Sequence, residues 1–364
     1  MSASVFKTLV VLVGGALLGV LSFTWWAAAE TPPTTTIPVA IETTTTTIPP
    51  TTTIPPTTTT TVPGSTTTTE EQKGALVIHG TGDVAVDPSY IPVLRSEGWD
   101  HAWSGLDGLF VDDDLTVINL ECVPSDIGER LDKAFTFRCP TEVLPSISAN
   151  GIDVANMGNN HSGDYGKEAL VDGRAQLIAA GVAPVGAGKD LDEAGAPALF
   201  DVNGWTVAVV GFGGVAPSDS WYATDDRAGM RSGDHVDEMV EAVAAAKEVA
   251  DFVVVTIHWG RELDTEPRPD DIERAEAMIE AGANVIFGHH QHRLGPFEMV
   301  NGAAVFWGLG NFVWPQNSIP SATTAVARVE VSPEGEIEAC LIPAYIETHG
   351  HPVLKAEASC QPGA

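Results

Sequence analysis

The sequence predicts an α/β domain over residues 74–364, and three observations support this prediction. Apolar stretches of strand length alternate with stretches of helical periodicity between residues 75 and 288. Strands that alternate with helices form parallel βαβ units whose sheets are covered on both faces. After Pro296 the pattern changes to short strands without intervening helices, which indicates an antiparallel finish. The 291 residues of this part are enough for one large domain with a well-buried core.

The expected elements follow from the apolar pattern of each stretch. Buried strands are predicted at residues 75–82, 115–120, 152–157, 206–211, 252–257 and 284–288. Helices are predicted at residues 141–150, 167–180, 234–250 and 269–281. In the third helix, apolar residues recur at the amphipathic spacing i, i+3, i+4 and i+7, namely at Val236, Met239, Val240 and Val243. Antiparallel strands are predicted at residues 297–300, 303–307, 323–331 and 337–342.

The first 29 residues predict an extracytoplasmic domain by either of two routes. Residues 1–7 form a short cytoplasmic start that ends in Lys7, and residues 8–29 are mainly apolar. A cleaved signal peptide needs such a start, an apolar stretch and small residues at the cleavage site, which Ala27-Ala28-Ala29 supplies. A retained membrane anchor needs about 20 apolar residues, and Trp25-Trp26 suits the outer membrane interface. Both interpretations stay open, and both place the domain at or beyond the cell surface.

Residues 30–73 are predicted to be a disordered tether rich in threonine and proline. This composition cannot bury a core and favours extended, polyproline-like conformations. At about 3.1 Å per residue, the tether could reach on the order of 100 Å. It would hold the domain away from the membrane, across a cell wall.

Four cysteines fit an exported protein, because an even number outside the cytosol indicates disulfide bonds. No Cys-x-x-Cys pair occurs, which disfavours a thiolate zinc site or a redox motif. Four cysteines allow three connectivities. Proximity along the chain favours the pairs Cys122–Cys139 and Cys340–Cys360.

The charge balance excludes one class of partner. The chain has a formal net charge of −31, and residues 74–364 hold 45 acidic and 16 basic side chains, a balance of about −29. A field of this sign repels nucleic acid and anionic lipid headgroups. Nucleic-acid binding is therefore excluded, and the same charge opposes a polyanionic substrate at low salt.

Polar side chains follow five of the predicted strands at the point where each strand ends. These residues are Asp83, Glu121, the Asn159-Asn160-His161 run, His258 and the histidines of Gly288-His289-His290-Gln291-His292. In open α/β sheets, sites form outside the carboxyl ends of the strands. We therefore expect these side chains to lie together at one edge.

The chemistry of this set fits a metal site, and two ions suit it best. Carboxylate oxygen and neutral imidazole are ligands for Zn, Mn or Fe. A bridging carboxylate can join two ions ~3.5–4 Å apart, and such pairs stabilise the attacking and leaving oxygens of a displacement. Each element alone also fits a turn or a buried structural residue. The three histidines His289, His290 and His292 within four positions are the strongest indication.

At these residues the chain resembles the poly-γ-glutamate capsule biosynthesis (CapA) family, whose domain resembles calcineurin-like metallophosphoesterases. Any one motif is weak, but seven keep their order between about residues 80 and 314. They are Gly82-Asp83, Asn119-Leu120-Glu121, Phe135-Thr136-Phe137-Arg138, Asn159-Asn160-His161 with Asp164-Tyr165-Gly166, His258-Trp259-Gly260 with Glu262, the Gly288–His292 run, and Leu309-Gly310-Asn311-Phe312. Gln291 stands where the family commonly has proline.

The resemblance implies a metallophosphoesterase-like layered α/β sandwich with mixed sheets and ligands at the carboxyl ends of strands. It also implies two divalent ions, Mn, Fe or Zn. Asp83 and His292 would hold the first ion and Glu121 would bridge both, while the second ion would have the ligands Asn160, His258 and His290.

Further roles are implied for residues around these ligands. His161 would face the scissile group as general acid or phosphate stabiliser, and Asp164 would orient it. Arg138 or Arg261 would clamp an anionic group of the substrate. The chain departs from the metallophosphoesterase pattern at Ala85, where a histidine is usual, and this places the first ion, or its tight binding, in question.

The resemblance implies a role in the synthesis, export or anchoring of a poly-γ-glutamate-type polymer of the cell envelope. The protein would be a metal-dependent hydrolase that cleaves a phosphoester or a γ-glutamyl amide. A non-catalytic accessory protein with a vestigial metal site is the alternative, and Ala85 favours it. The expected partners are the envelope polymer or its synthase complex, together with the membrane through the N-terminal segment.

Overall fold

Strands dominate the computed structural model, which describes residues 72–355. The strands are β1 (Leu76–Val84), β2 (Leu115–Leu120), β3 (Val154–Asn156), β4 (Ala183–Val185), β5 (Ala187–Gly188), β6 (Ala198–Val202), β7 (Trp205–Gly213), β8 (Gly229–Met230), β9 (Phe252–His258), β10 (Val285–His289), β11 (Phe297–Val300), β12 (Ala303–Phe306), β13 (Asn311–Val313), β14 (Thr323–Val331), β15 (Ile337–Thr348) and β16 (His351–Leu354). The α-helices are α1 (Val93–Ser96), α2 (Leu144–Ala149), α3 (Lys167–Ala179), α4 (Leu191–Gly195), α5 (Val236–Lys247), α6 (Pro269–Glu280) and α7 (Ile319–Ala322).

Two large mixed sheets organise the described residues. The first has the order β16-β15-β14-β1-β2-β3-β4, and β13 also pairs with β1. Its strands β1 to β4 are parallel, whereas β14, β15 and β16 are antiparallel. The second sheet has the order β11-β12-β10-β9-β7-β6, with a parallel centre and an antiparallel strand at each edge. The short strands β5 and β8 form a separate pair.

The central strands are apolar along their whole length because both of their faces are covered. Every residue of β2 and of β9 is buried. One hydrophobic cluster joins side chains of both sheets, for example Ile78, Val117, Val209 and Phe287. Near-continuous apolar strands of this kind are typical of parallel sheets.

Helices cover the outer face of each sheet. Met239 and Val243 of α5 and Met278 of α6 pack against the second sheet. Ile147 of α2 and Leu177 of α3 pack in the cluster on the first sheet. The architecture is therefore a layered α/β sandwich with mixed sheets, which confirms the predicted fold class.

The predicted long elements are present with shifts of a few residues at their ends. The predicted helix at 141–150 begins as a 3₁₀ turn, Thr141–Val143, before α2. Strand β15 continues past Pro343 to Thr348. The elements without a prediction have at most five residues, such as β4, β5 and β6, and segments this short carry too little periodicity to be recognised.

Three predictions concern residues that lie wholly or largely outside the described range. They are the cytoplasmic start at 1–7, the signal peptide or anchor at 8–29, and the tether at 30–73. Between residues 72 and 355, no helix is both long and apolar enough to cross a membrane.

Candidate metal centre

Two carboxylates lie side by side where strands β1 and β2 end. Asp83 is near the end of β1, and its register partners are Asn119 of β2 and Asn311 of β13. Glu121 directly follows β2, and its backbone N–H donates to the carbonyl of Val84 over 2.8 Å. Both carboxylate side chains are fully buried. The parallel pairing of β1 and β2 thus brings them to one edge of the first sheet.

The imidazoles come from the ends of two adjacent strands in the second sheet. His258 ends β9 and His289 ends β10, and these two residues are register partners. The chain then passes through His290, with φ 92°, and His292, with φ 53°. Both values lie in the left-handed region, which non-glycine residues seldom adopt and which clusters at functional sites.

Side chains from the two sheets form two groups that share Glu121. The first group consists of Asp83, Glu121 and His292, and the second consists of Glu121, His258 and His290. Within each group, the potential ligand atoms lie within 4.8 Å of one another. Oε1 of Glu121 is 3.8 Å from Nε2 of His258 and 4.0 Å from Nε2 of His292. A carboxylate that bridges two cations needs such a shared position.

Asn160 lies beside the second group. Its side-chain oxygen Oδ1 is 2.9 Å from Nε2 of His258. The preceding Asn159 holds this turn in place, because its Nδ2 donates to the carbonyl of Leu120 over 2.9 Å and its Oδ1 accepts from the N–H of His161 over 3.1 Å. The second group can therefore include an amide oxygen as a fourth ligand.

Several atoms of these groups are buried without a hydrogen-bond partner: Asp83 Oδ2, both oxygens of Glu121, and His290 Nδ1. Nδ1 of His292 is 3.0 Å from Asp83 Oδ2, but it is also 2.9 Å from Asn311 Oδ1. Buried polar atoms without partners are rare, and each costs about 1–3 kcal/mol. Carboxylate and imidazole atoms in this arrangement suit Zn, Mn or Fe. The residues present therefore fit two divalent cations.

The two carboxylates respond differently to the same burial. Burial raises the pKa of Glu121 well above its ordinary value, and the negative charge of Asp83 adds to the effect. Burial also raises the pKa of Asp83, but the adjacent imidazole of His292 outweighs it, so the pKa lies below its ordinary value. Divalent cations at both groups would offset the charge that burial disfavours on Glu121.

Two of the imidazoles are held in the form that binds metal. Burial lowers the pKa of His258 well below its ordinary value, and the neighbouring His290 adds to the effect. Burial also lowers the pKa of His290 to about 4. Because a metal ligand must be neutral imidazole, both residues are in the ligand form at neutral pH.

His161 and Asp164 form a hydrogen-bonded pair next to the shared carboxylate. Nδ1 of His161 is 2.6 Å from Asp164 Oδ2, and its Nε2 is 3.8 Å from Glu121 Oε1. Burial lowers the pKa of His161, against the opposing effect of Asp164. A histidine that is oriented by one carboxylate and faces a second one has the geometry that proton exchange with a group bound at the site would require.

The two arginines predicted to bind an anionic group of the substrate, Arg138 and Arg261, are engaged in contacts outside the two groups that share Glu121. Nη2 of Arg138 donates to the carbonyl of Ile127 over 2.7 Å, and its guanidinium stacks on Tyr165, 3.7 Å from the ring centroid. Arg261 is exposed and pairs with Asp264 over 2.8 Å. Arg138 thus ties together a loop beside the site, whereas Arg261 lies at the surface, and their role toward substrate stays a prediction.

Sequence reasoning missed two residues at this site, Asn119 and Lys133. Nδ2 of Asn119 is 2.9 Å from Asp83 Oδ1 and 3.1 Å from Nδ1 of His258, so it links the two sheets. Asn119 belongs to one of the recognised motifs, which could have identified it. Lys133 follows no spacing rule, and only its contacts reveal it.

A disulfide bond lies next to the shared carboxylate. Cys122, which follows Glu121 directly, is bonded to Cys139, and their Cα atoms are 5.6 Å apart. The bond encloses the loop that carries Lys133. The pairing predicted for Cys340 stays a prediction because Cys360 lies outside the described residues.

Comparison with known proteins identifies relatives across most of the domain. The family described as Bacterial capsule synthesis protein PGA_cap matches residues 77–316. The PGA biosynthesis protein CapA of Bacillus subtilis (strain 168) is 30% identical over 257 residues, which cover 70% of this chain and 67% of that protein. The Capsule biosynthesis protein CapA of Bacillus anthracis is 30% identical over 223 residues, or 60% of this chain and 54% of that protein.

A protein of Mycobacterium tuberculosis, described as a probable polyglutamine synthesis accessory protein, is 32% identical over 233 residues, or 61% of each chain. The matches thus span between about half and two thirds of the length of these relatives.

Solved structures are more distant. The NAD nucleotidase of Haemophilus influenzae matches with a TM-score of 0.46 and 14% identity, over 80% of this chain and 54% of that chain. The sulfate thiohydrolase SoxB of Thermus thermophilus matches with a TM-score of 0.41 and 13% identity, over 71% of this chain and 46% of that chain. Structural similarity at these TM-scores and sequence identities carries no information about the residues of the site.

The family match covers more than half of the chain and includes every residue of both cation groups. The Bacillus subtilis relative supports the same assignment over a similar share of the sequence. The chain belongs to the bacterial capsule synthesis protein PGA_cap family.

Proposed function

We propose that the protein is a metal-dependent hydrolase of the cell envelope. It cleaves a phosphoester, or an amide in a γ-linked glutamate polymer, during the synthesis, export or anchoring of that polymer. The observation that carries the proposal is the pair of buried groups that share Glu121 and leave both of its oxygens without hydrogen bonds.

The residues of the chain have distinct roles in this proposal. Asp83 and His292 would hold one cation, His258, His290 and Asn160 would hold the other, and Glu121 would contribute to both sites. A bound pair of cations supplies charge stabilisation to the attacking and leaving oxygens of a displacement. His161, whose Nδ1–H is held by Asp164, would in its imidazolium form give the Nε2 proton to the leaving oxygen and would regain a proton from water before the next turnover.

Three relatives support the polymer assignment: two are described as capsule or PGA biosynthesis proteins and one as a probable polyglutamine synthesis accessory protein. The net charge of the chain, −31, opposes an anionic polymer in general. The cation pair would reverse this repulsion locally, where the polymer is held. The polymer synthase complex is the proposed partner.

The proposed location is outside the cytoplasm. It rests on the apolar run at residues 8–29 and the threonine- and proline-rich tether at 30–73. The cysteine pair Cys122–Cys139 is consistent with an oxidising compartment. Protease accessibility of the domain in intact cells tests this location, and full protection of the chain until lysis would contradict it.

Metal content is the first test of the proposed centre. The full-length chain, purified without chelators, should hold about two transition-metal ions per molecule by elemental mass spectrometry. His290→Ala should lose at least one of these ions and the hydrolysis of bis(p-nitrophenyl) phosphate. His235→Ala, which removes an exposed imidazole, serves as the control and should keep the wild-type metal content and the hydrolysis activity.

The accessory role is the second candidate, and Ala85 favours it. Ala85 stands at a buried position beside Asp83 where a further imidazole ligand would be expected from the resemblance. A chain that holds no metal after incubation with Mn, Fe or Zn would support this role and contradict the hydrolase. Recovery of a polymer synthase with the His290→Ala variant, as efficiently as with the wild type, would support it further.

A further inference from the structure

The loop between Cys122 and Cys139 contacts His161 and Asp164 directly, although none of its residues belongs to either of the two groups that share Glu121. We propose that Lys133 in this loop is a positioning residue. It holds Asp164 and Asn160 in place so that His161 presents Nε2 to the cation pair. This inference rests on the proposed hydrolase function.

Asp164 receives hydrogen bonds from the loop on both carboxylate oxygens. Its Oδ1 accepts from Nζ of Lys133 over 2.6 Å. Its Oδ2 accepts from the backbone N–H of Phe137 over 2.8 Å and from Nδ1 of His161 over 2.6 Å. Because the carboxylate is fully buried, its orientation depends on these donors. The loop therefore supplies two of the three groups that hold Asp164.

The orientation of His161 follows from the same contacts. Since Nδ1 donates to Asp164, Nε2 is the nitrogen that faces Glu121. The ring of Phe137 packs on the imidazole with centroids 4.3 Å apart, which restricts its rotation. A histidine that acts on a reacting group needs both a defined nitrogen and a defined ring position.

Lys133 also reaches the second cation group. Its Nζ donates to the backbone carbonyl of Asn160 over 2.6 Å, in addition to its bond with Asp164. One ammonium group thus joins a proposed metal ligand to the residue that orients His161. Two of its three protons are engaged in these bonds, and the side chain is 23% exposed. Lys133 is therefore held in place by protein atoms, as a positioning group must be.

The base of the loop is fixed to the strand that carries the bridging residue. Cys122 follows Glu121, and its disulfide with Cys139 closes the loop. Val123 accepts from the N–H of Cys139 and donates to the carbonyl of Phe137, each over 3.0 Å. The two ends of the loop that carries Lys133 are thus fixed next to Glu121 by a covalent bond and two backbone hydrogen bonds.

Three variants of the full-length chain test the inference: Lys133→Met, Lys133→Arg and the control Lys189→Met, which changes an exposed lysine. Activity is compared on p-nitrophenyl phosphate and on phenyl phosphate, whose leaving group is more basic. Lys133→Met should lower kcat by roughly tenfold or more, and by more on phenyl phosphate, because proton transfer to the leaving group is impaired. The KM should change by less than about twofold. Lys133→Arg should keep most activity, and Lys189→Met should match the wild type.

Two kinetic results would overturn the inference. A raised KM with unchanged kcat would show that Lys133 binds substrate instead. An equal loss of kcat on both esters would show that it does not act through His161. If Lys133→Met fails to fold, Lys133→Gln, whose amide keeps a donor, replaces it in the same comparison.

A second measurement separates this inference from the proposed function. If the wild type hydrolyses neither ester, the phosphoesterase form of the proposed function fails, and amide hydrogen exchange decides the role of Lys133. Lys133→Met should then speed exchange of the amides of residues 159–166 by about tenfold, while Lys133→Arg and Lys189→Met stay near the wild type. Unchanged exchange in Lys133→Met would show that Lys133 positions nothing.

Discussion

Strand β1 carries a buried polar cluster towards each end, and the two clusters differ in how completely their atoms are partnered. Towards the amino end, Nδ1 of His79 is 2.6 Å from Asp113 Oδ2, and its Nε2 is 3.2 Å from Arg328 Nη1. At the carboxyl end, Oδ2 of Asp83 and both oxygens of Glu121 are buried without a hydrogen bond. Burial alone therefore does not distinguish the clusters.

We interpret this difference in hydrogen bonding as a difference in role between the two clusters. A buried polar group whose hydrogen bonds are complete stabilises its surroundings, whereas an unpartnered one costs about 1–3 kcal/mol. Such a cost is expected where a site is kept ready for something that is bound there. We accordingly interpret the His79 cluster as structural and the Glu121 cluster as the proposed ligand site.

The largest expected effect concerns metal content. Glu121→Gln should lower the transition-metal content of the full-length chain from about two ions to well below one, because Glu121 belongs to both groups. Asp113→Asn, at the other cluster, should leave the metal content unchanged. Elemental mass spectrometry on both variants gives the answer, and two ions retained in Glu121→Gln would remove the distinction between the clusters.

A smaller effect is expected on stability at the amino-end cluster. Asp113→Asn should lower the free energy of unfolding by about 2 kcal/mol, because the carboxylate accepts from both His79 and Thr116. Urea unfolding of the metal-free chain measures this change. The matched control is Asp112→Asn, which changes the adjacent exposed acid and should alter stability by less than about 0.5 kcal/mol. Equal effects of the two variants would contradict a structural role for His79 and Asp113.

The pH dependence of stability sharpens the comparison further. His290 has a folded-state pKa of about 4, below its ordinary value of 6.5, because it is buried. As the pH falls from about 6.5 towards 4, the unfolded chain takes up a proton there and the folded chain does not, so stability is lost. In His290→Gln, the loss between pH 7 and pH 5 should be smaller by about 1–2 kcal/mol. Urea unfolding of the metal-free proteins at both pH values tests this, and an unchanged loss would show that His290 titrates normally.

The smallest expected effect is a change in the free energy of unfolding on substitution of Glu121. Its sign is opposite to that of the change expected for Asp113→Asn. In the metal-free chain, Glu121→Gln should raise the free energy of unfolding by about 1 kcal/mol, because it removes a carboxylate that burial and Asp83 both disfavour. Urea unfolding in the presence of a chelator at pH 7 measures it. A clear loss of stability in this variant would show that Glu121 is well partnered without metal and would undo the contrast with Asp113.

Much of the site could be predicted from single residues at strand ends. Asp83, Glu121, His258 and His290 follow apolar strands, and parallel strands bring such residues to one edge. The structure places all four within the two groups that share Glu121. Lys133 could not be predicted in this way, because it lies in a loop without periodicity and meets Asp164, 31 residues away, only in three dimensions.

The α/β class, the long strands, the candidate ligands and the cysteines beside them could all be predicted from the sequence, because apolar periodicity and residue type are local properties. Which buried polar atoms have hydrogen-bond partners became known only from the folded chain. His79 and His290 are both buried histidines, and although the Gly288–His292 run marks His290 as a candidate ligand, the sequence does not show which partners either imidazole has. Their difference lies in Asp113 and Arg328, which the fold brings to His79, and in the absence of a hydrogen-bond partner for Nδ1 of His290 among the described residues. Hydrogen-bond partners come from residues that are distant in the chain. The packing of the folded chain therefore separates the structural cluster at His79 from the proposed ligand site at His290.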